Sequence, residues 1–362
     1  MIILEIEGKR YENFKSIEIR KSMEMVSGAF TFNATSNNTT EFPIKRSASA
    51  RVLINDIPII TGYVNRVTPN YDNQSHILII NGRDKTADII DSSLRSNIEF
   101  NTGITLKRII EKVIADLGIT DISVIDNVGN IKKFDKSELV SGSADKNAFE
   151  FIENYCRLRQ VLCTTNGDGN IVLTRGSKEL LPIKLINRKN NQTNNIKNGD
   201  SFFDEIGRFY RVTVLSQGNP SAFDDTNIVS KSGIAFDTEI RKSRSQTIIS
   251  EHSSSDFTNK ERATWQVNVN RARGTGYACL VEGFKIAPDK TEIWQPNKLV
   301  KVEDEFANIN SQMLIRECVY RLSNDVGSET LLTLVPKDAY QVEAQLNEVE
   351  ARANLTGKDL TQ

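Results

Sequence analysis

Two stretches of this chain read alike. "TGYVNRVTPNYDNQSHILIINGRDKTA" runs from Thr61 to Ala87, and "LIRECVYRLSNDVGSETLLTLVPKDAY" from Leu314 to Tyr340. Each is a strand pattern, a polar turn, a second apolar strand and a charged exit. Asp84–Lys85 closes the first and Lys337–Asp338 the second. Letter identity is low, so this is a weak repeat signal by itself. It nevertheless points to two related β units flanking a helical insert.

Upstream of the first copy the pattern is also β. "IILEIEG" sets Ile2, Leu4 and Ile6 on one face, and "SIEIRKS" alternates Ile17 and Ile19 with Glu18 and Arg20. "GAFTFNA" alternates Phe30 and Phe32. "RVLINDIPIITGYVNRV" joins two strands across an Asn55-Asp56 turn, and a hairpin turn is expected near Asp72-Asn73. Period-two alternation with frequent turns implies a small barrel or sandwich over residues 1–95.

Helical spacing takes over in residues 96–186. "TLKRIIEKVIADLGI" stripes Leu106, Ile109, Ile110, Val113, Ile114 and Leu117, with Gly118 as a left-handed stop. "DKNAFEFIENYCRLR" is a second helix, with Asp145 as the expected cap. "QVLCTTNGDGNIVLTR" is a hairpin turning at Asn166-Gly167-Asp168-Gly169. This block reads as an α+β insert.

The Asn-rich run Asn187–Asp200 reads as a linker or exposed loop. Residues 187–217 are thus a linker plus the first strand of a second barrel. Residues 218–275 read as an extended loop and a helix, with Thr258 and Glu261 as a capping box. Residues 276–340 complete the second barrel, and 341–362 form a tail. The expected fold class is α+β, β-dominated: two similar antiparallel β-barrel-like domains with α+β insert modules.

Composition narrows function. The chain has 362 residues, 38 % apolar and 26 % charged, with net charge −1. That is an ordinary globular balance with no global basic field for nucleic acid. No export signal and no run of ~20 apolar residues is visible, so no membrane anchor is expected. Cys156, Cys163, Cys279 and Cys318 lack zinc-knuckle spacing and read as buried thiols.

Catalytic motifs are missing too. There is no G-x-S-x-G elbow, Walker A or H-E-x-x-H. Of the two histidines, His76 reads as a surface residue. His252 sits in a Ser-rich turn where adjacency does not supply triad geometry. "GDGN" lacks the remaining acidic ligands of a Ca²⁺ loop. The mixed aromatic and basic "RFYRV" and "NVNRARGTGY" are weak grounds for single-strand binding. Distant carboxylate pairs stay open, but Glu303, Asp304 and Glu305 read as a strand end in water. No catalytic residue, cofactor or metal site is assigned.

The pieces "TGYVNRV", "INGRDKTADIIDSS", "RQVLCTTNGDGNIVLTR", "NIVSKSGIAFDTEIRKSRSQTIISE" and "WQPNKLVKVED" carry a resemblance. In this order they resemble the baseplate hub proteins of Mu-like contractile-tailed phages, over roughly Ile2 to Tyr340. The layout is also similar to the hub half of type VI secretion spike proteins. The resemblance implies a homotrimer of two-barrel chains, with pseudo-six-fold symmetry. It also implies tail tube and central spike proteins as partners, and DNA passing through the bore without specific binding. The location implied is the virion baseplate, after assembly in the host cytoplasm. Arg83, Asp84 and Lys85 are the candidate subunit-interface residues, and Thr86 or Asp88 the candidate cap beyond them. The alternatives are a baseplate-associated cell-wall hydrolase and a carbohydrate-binding adhesin module.

Overall fold

The computed structural model describes residues 1–12, 14–35, 44–71, 76–100, 103–135, 138, 140–190, 193–216, 231–250 and 256–341. In chain order the elements are β1 (Ile2–Ile6), β2 (Lys9–Tyr11), β3 (Ser16–Ser22), β4 (Ala29–Thr35), β5 (Ser49–Ile54), β6 (Ile57–Tyr71), β7 (His76–Asp84), α1 (Ala87–Ile90), β8 (Ile98–Phe100), α2 (Leu106–Asp116), β9 (Val124–Asp126), β10 (Val140–Gly142) and α3 (Ala148–Leu158). There follow β11 (Leu162–Thr165), β12 (Ile171–Thr174), β13 (Leu180–Asn187), β14 (Ile196–Phe203), β15 (Arg211–Ser216), β16 (Lys231–Phe236), β17 (Ser245–Ile249), α4 (Asp256–Gly274), β18 (Thr275–Glu282), β19 (Leu299–Asp304), β20 (Ile309–Ser323) and β21 (Gly327–Pro336). The chain divides into two compact units: Met1–Phe202 with Gly276–Lys337, and Phe203–Thr275 with Asp338–Gln362.

The larger unit is built on one sheet that repeats itself. Its first block runs β3-β4-β7-β6-β5-β1 in space; its second runs β14-β18-β21-β20-β19-β13. Chain order is the same permutation in both. One departure is that β1 is antiparallel to β5 whereas β13 is parallel to β19.

The two hairpins, Thr61–Ala87 and Leu314–Tyr340, match in the placing of their bulges. Val64 pairs with Gly82 and Arg66 with Asn81, so Asn65 bulges out of β6. Ile315 pairs with Leu334 and Glu317 with Thr333, so Arg316 bulges out of β20. Gly82 and Leu334 each stand two residues before the end of their strand. On the next strand they face Phe30 and Tyr277 respectively. Bulges re-aim a strand and terminate pairing on one edge. Here β20 pairs with β19 before its bulge and with β3 after it. That β3–β20 seam fuses the blocks, with Arg20–Glu317 at 3.0 Å and Arg321–Glu18 at 3.2 Å across it. Inward residues of both blocks form one core, including Ile19, Phe32, Val52, Ile80, Tyr320 and Leu334.

Gly82 is required by packing. A Cβ there would stand 2.1 Å from the Phe30 ring and 2.5 Å from the Tyr63 carbonyl oxygen. The Phe30 ring occupies the place that a side chain on residue 82 would take.

The insert packs α2 and α3 around a second core that includes Val113, Phe151, Tyr155 and Leu173. Gly118 is left-handed at φ 74°, as expected of a helix stop. The cap of α3 is Asn147, not Asp145: its side chain accepts from the Glu150 amide. Two residues separate these candidates, and only Asn147 immediately precedes the first helical turn.

Several expectations change. Asn187–Asp200 is not a linker, because β13 ends in it and β14 starts in it. Arg211–Ser216, expected as the first strand of the second barrel, instead pairs with β16 and β17 in the smaller unit's own sheet. The described part of the 218–256 passage therefore contains two strands. Helix α4 begins at Asp256, so Thr258 lies inside its first turn and does not cap it. The turn near Asp72-Asn73, His252 and the tail from 342 lie outside the described residues. Within the smaller unit, Val212, Val214, Ala263 and Val267 form the core. Arg208 donates to Asp237 at 2.8 and 3.0 Å and to Glu239 at 2.6 Å.

Gly82→Ala is expected to lower stability by about 1–3 kcal/mol through overpacking against Phe30. A shift of the urea midpoint measures it, and the loss should shrink when Phe30→Leu is added.

Candidate functional site

The charged exit of the first hairpin is where the sheet meets the insert. On β3, Ile17 and Ile19 point inward, and so does Lys21. On β7 the inward row is Leu78, Ile80, Gly82 and then Asp84, which is fully buried. Lys21 Nζ lies 3.0 Å from Asp84 Oδ2. The same oxygen accepts from the Gly28 amide at 2.7 Å and from the Thr165 hydroxyl at 2.9 Å. Lys21 also donates to Thr165 Oγ1 at 2.7 Å and to the Asn166 carbonyl at 3.5 Å. One carboxylate oxygen thus ties β3, the turn before β4, and the β11–β12 hairpin of the insert.

The hairpin turn is pressed onto β6. Thr61 donates its hydroxyl to the Gly167 carbonyl at 2.8 Å. A Cβ on Gly167 would stand 1.9 Å from the Pro58 carbonyl oxygen, so only glycine permits the approach. "GDGN" is therefore a docking turn. Among the described residues no group of three or more His, Cys, Asp and Glu is arranged to hold a metal.

The three residues proposed as a subunit interface are engaged inside the chain. Asp84 has no exposed surface and cannot bridge to a neighbour. Arg83 pairs with Asp91, just beyond α1. Lys85 donates to the Asp121 carbonyl and lies 3.5 Å from its carboxylate. Thr86 does not cap α1 through its side chain. Its hydroxyl donates instead to the Val26 carbonyl, at 2.6 Å. Lys21, which the sequence reading did not single out, is the partner that completes the site. Its signal was present: strand parity puts it on the face of Ile17 and Ile19, where an unpaired ammonium would be costly.

Two further buried networks have the same character. In the insert, Arg159 meets Glu138 in a fork, at 3.0 and 2.6 Å, with its guanidinium 3.7 Å from the Phe134 ring centre. In the second block, Asp304 is not a strand end in water. It accepts from the Tyr277 hydroxyl at 2.5 Å, from the Phe306 and Ala307 amides at 2.9 Å, and from Asn187 at 3.2 Å. Burial pushes the Asp304 carboxyl up. Tyr277, the two amides and Asn187 outweigh this and hold it below the usual range. Burial, then the hydrogen bond to Asp304, drives the Tyr277 hydroxyl far above its ordinary value. All four cysteines are buried and free. A hydrogen bond with Cys163, then burial, holds the Cys156 thiol well up, so it stays protonated and unreactive.

Among the described residues these charges are turned toward chain-internal partners. Asp84 Oδ1 is buried and has no hydrogen-bond partner. A groove lined by Ile183, Val281, Phe284 and Trp294 also takes in Lys197, Glu282 and Lys285. The arrangement ties separate elements of the chain to one another.

Comparison with known proteins agrees with that character. Residues 1–84 match the family model for the N-terminal domain of Mu phage baseplate assembly protein GpP-like proteins. Residues 86–175 match the second domain of baseplate hub protein gp44-like proteins, and 255–343 the fourth domain of Mu phage baseplate assembly protein GpP. The boundary between the first two falls beside Asp84. The baseplate hub protein gp44 of Escherichia phage Mu is 23 % identical, over 99 % of this chain and 92 % of that protein. The 43 kDa tail protein of prophage MuSo2 from Shewanella oneidensis is 28 % identical with a TM-score of 0.78, over 93 % of this chain and 98 % of that one. The tail protein of Neisseria meningitidis MC58 shares the fold at 19 % identity and TM-score 0.79, over 95 % and 98 % of the two chains. An E. coli type VI secretion component, c3393, shares it more distantly, at 11 % identity and TM-score 0.57, over 92 % and 76 %.

Asp84→Ala leaves a buried ammonium unpaired and is expected to cost about 3–5 kcal/mol. Adding Lys21→Met should restore much of this, as read from denaturation midpoints of the three variants. Asp304 gives a pH signature. Its folded pKa is depressed, so its stabilisation is full above the ordinary carboxylate value of ~4 and is lost as pH falls through the folded value. Melting temperature should fall over that acid window, and Asp304→Asn should flatten the fall.

Proposed function

We propose that this chain, which belongs to the Mu-type baseplate hub family and is a structural component of a phage tail baseplate, assembles as a homotrimeric ring. The observation that carries this is the duplicated six-strand block. Three chains with two equivalent blocks apiece present six similar units around a ring, while the inserts repeat only three times. Such a ring fits a six-fold tail tube on one face and a three-fold central spike on the other. Heterologous contacts that close are the way identical chains form rings.

The role is non-enzymatic in this reading. The buried charges brace modules, and the relatives are named as baseplate and tail proteins. The ring's bore passes DNA without holding it, in keeping with a net charge of −1: a densely basic wall would retain phosphates by counterion release. The chain is assembled in the host cytoplasm and resides in the virion tail. No described helix is long and apolar enough to cross a membrane.

Light scattering of the purified chain should give three times the 40.7 kDa of one copy. A monomer at micromolar concentration would overturn the self-sufficient ring. Clearing of peptidoglycan, abolished by a single carboxylate substitution, would favour the hydrolase instead.

A further inference from the structure

In the duplicated blocks β5 and β19 occupy equivalent places, and so do β6 and β20. The turns that join them are not alike. β5 passes into β6 through Asn55 and Asp56 alone, both left-handed at φ 51° and 63°. Two left-handed residues make the tight hairpin turn that fits the twist of paired strands. β19 passes into β20 through a longer turn, Glu305 to Asn308. Phe306 in that turn is 92 % exposed, more than any other large apolar side chain among the described residues.

The longer turn is held from beneath. Asp304 is 3 % exposed; one of its oxygens accepts from the Phe306 and Ala307 amides and the other from the Tyr277 hydroxyl. The Glu305 amide donates to the Asn187 carbonyl at 3.0 Å, and the Glu305 carboxylate accepts from the Lys189 amide at 2.9 Å. Beside the turn, Glu303 pairs with Lys184 at 2.7 Å and with Arg188 at 2.6 Å. These bonds fix the backbone that carries Phe306 and leave its ring uncovered. An aromatic on a fixed turn loses little freedom on docking and has a whole ring to bury. A surround of polar groups, already paired with each other, completes the make-up of an interface anchor.

We infer that Phe306 is a docking peg that enters an apolar pocket of the three-fold central spike. This rests on the ring reading and adds to it which end of the ring the spike meets. In a ring of duplicated blocks the β5–β6 and β19–β20 turns lie at one end and alternate around it. A six-fold partner at that end needs the same contact from both turns. Asn55–Asp56 is a compact polar tip and Glu305–Asn308 an aromatic one, so the two do not fill the same pocket. A contact that only the second block can make repeats three times, which is the symmetry of the spike.

Two measurements on the full chain test it. In the first, p-benzoylphenylalanine replaces Phe306, assembled tails are irradiated, and the adduct is identified by mass spectrometry. An adduct of one hub chain with one spike chain is expected. The same probe in place of Asp56, at the equivalent turn of the first block, should give no spike adduct. An adduct of position 306 with the tube protein or with another hub copy, no adduct in tails that contain the spike, or a spike adduct from both positions overturns the peg. In the second, Phe306→Ser should leave the light-scattering mass of the isolated chain unchanged and lower spike retention in tails about tenfold or more, the loss of a buried aromatic anchor. Unchanged retention, or loss of the trimer in Phe306→Ser alone, overturns the peg and leaves the ring standing. A wild-type monomer overturns the ring, while the adduct, read in assembled tails, still decides what Phe306 touches.

Discussion

The buried Asp84 carboxylate is the constraint from which the larger unit is organised. It stands at the last position of β7, on the inward row, where an ionised group is tolerated only if its partners are also fixed. Those partners come from two places far apart in sequence: Lys21 and Gly28 between β3 and β4, and Thr165 in the insert. Partnering its Oδ2 therefore sets the β3–β4 turn and the insert hairpin at once. Thr61 and Gly167 add a second contact of the same hairpin on β6. The insert is thus held by side-chain contacts to the β3–β4 segment, β6 and Lys85, in addition to its connections.

The duplication explains why the sheet is both regular and unequal. Bulges at Asn65 and Arg316 fall at equivalent places: there β20 exchanges β19 for β3, whereas beyond Asn65 no described strand replaces β5 beside β6. The insertions differ. In the first block the α+β insert follows the return strand β7. In the second, the smaller unit interrupts the chain between β14 and β18. Equivalent backbones with unlike attachments let two blocks share a seam geometry while presenting different surfaces elsewhere.

Much of this was legible in the residues, and the failures have physical causes. The hairpins at Thr61–Ala87 and Leu314–Tyr340 declared themselves because one face of each strand is buried, which forces alternation. β14, "IKNGDSFF", has almost every side chain exposed or half-exposed, so no alternation was imposed on it and it read as a linker. β16 and β17 are short strands set in a polar passage, and their pairing with β15 is a tertiary fact. Asp304 looked solvated because it follows Glu303 and precedes Glu305. Only Tyr277, distant in sequence, shows why it is buried. The "INGRDK" charges were correctly read as a strand end. They looked outward-facing because Lys21 was not connected to them until the parity of β3 was followed through.

Pro69 has a bearing on the life of the chain before assembly. A long open strand edge is a template on which further strands can add without limit. Pro69 interrupts the donor row of β6 on the side away from β7, where no described strand pairs beyond Tyr63, so a run of identical edges cannot stack there in full register. A strand whose own acceptors and donors fit around the gap can still dock. The residue that weakens the ladder therefore also filters what can add to it.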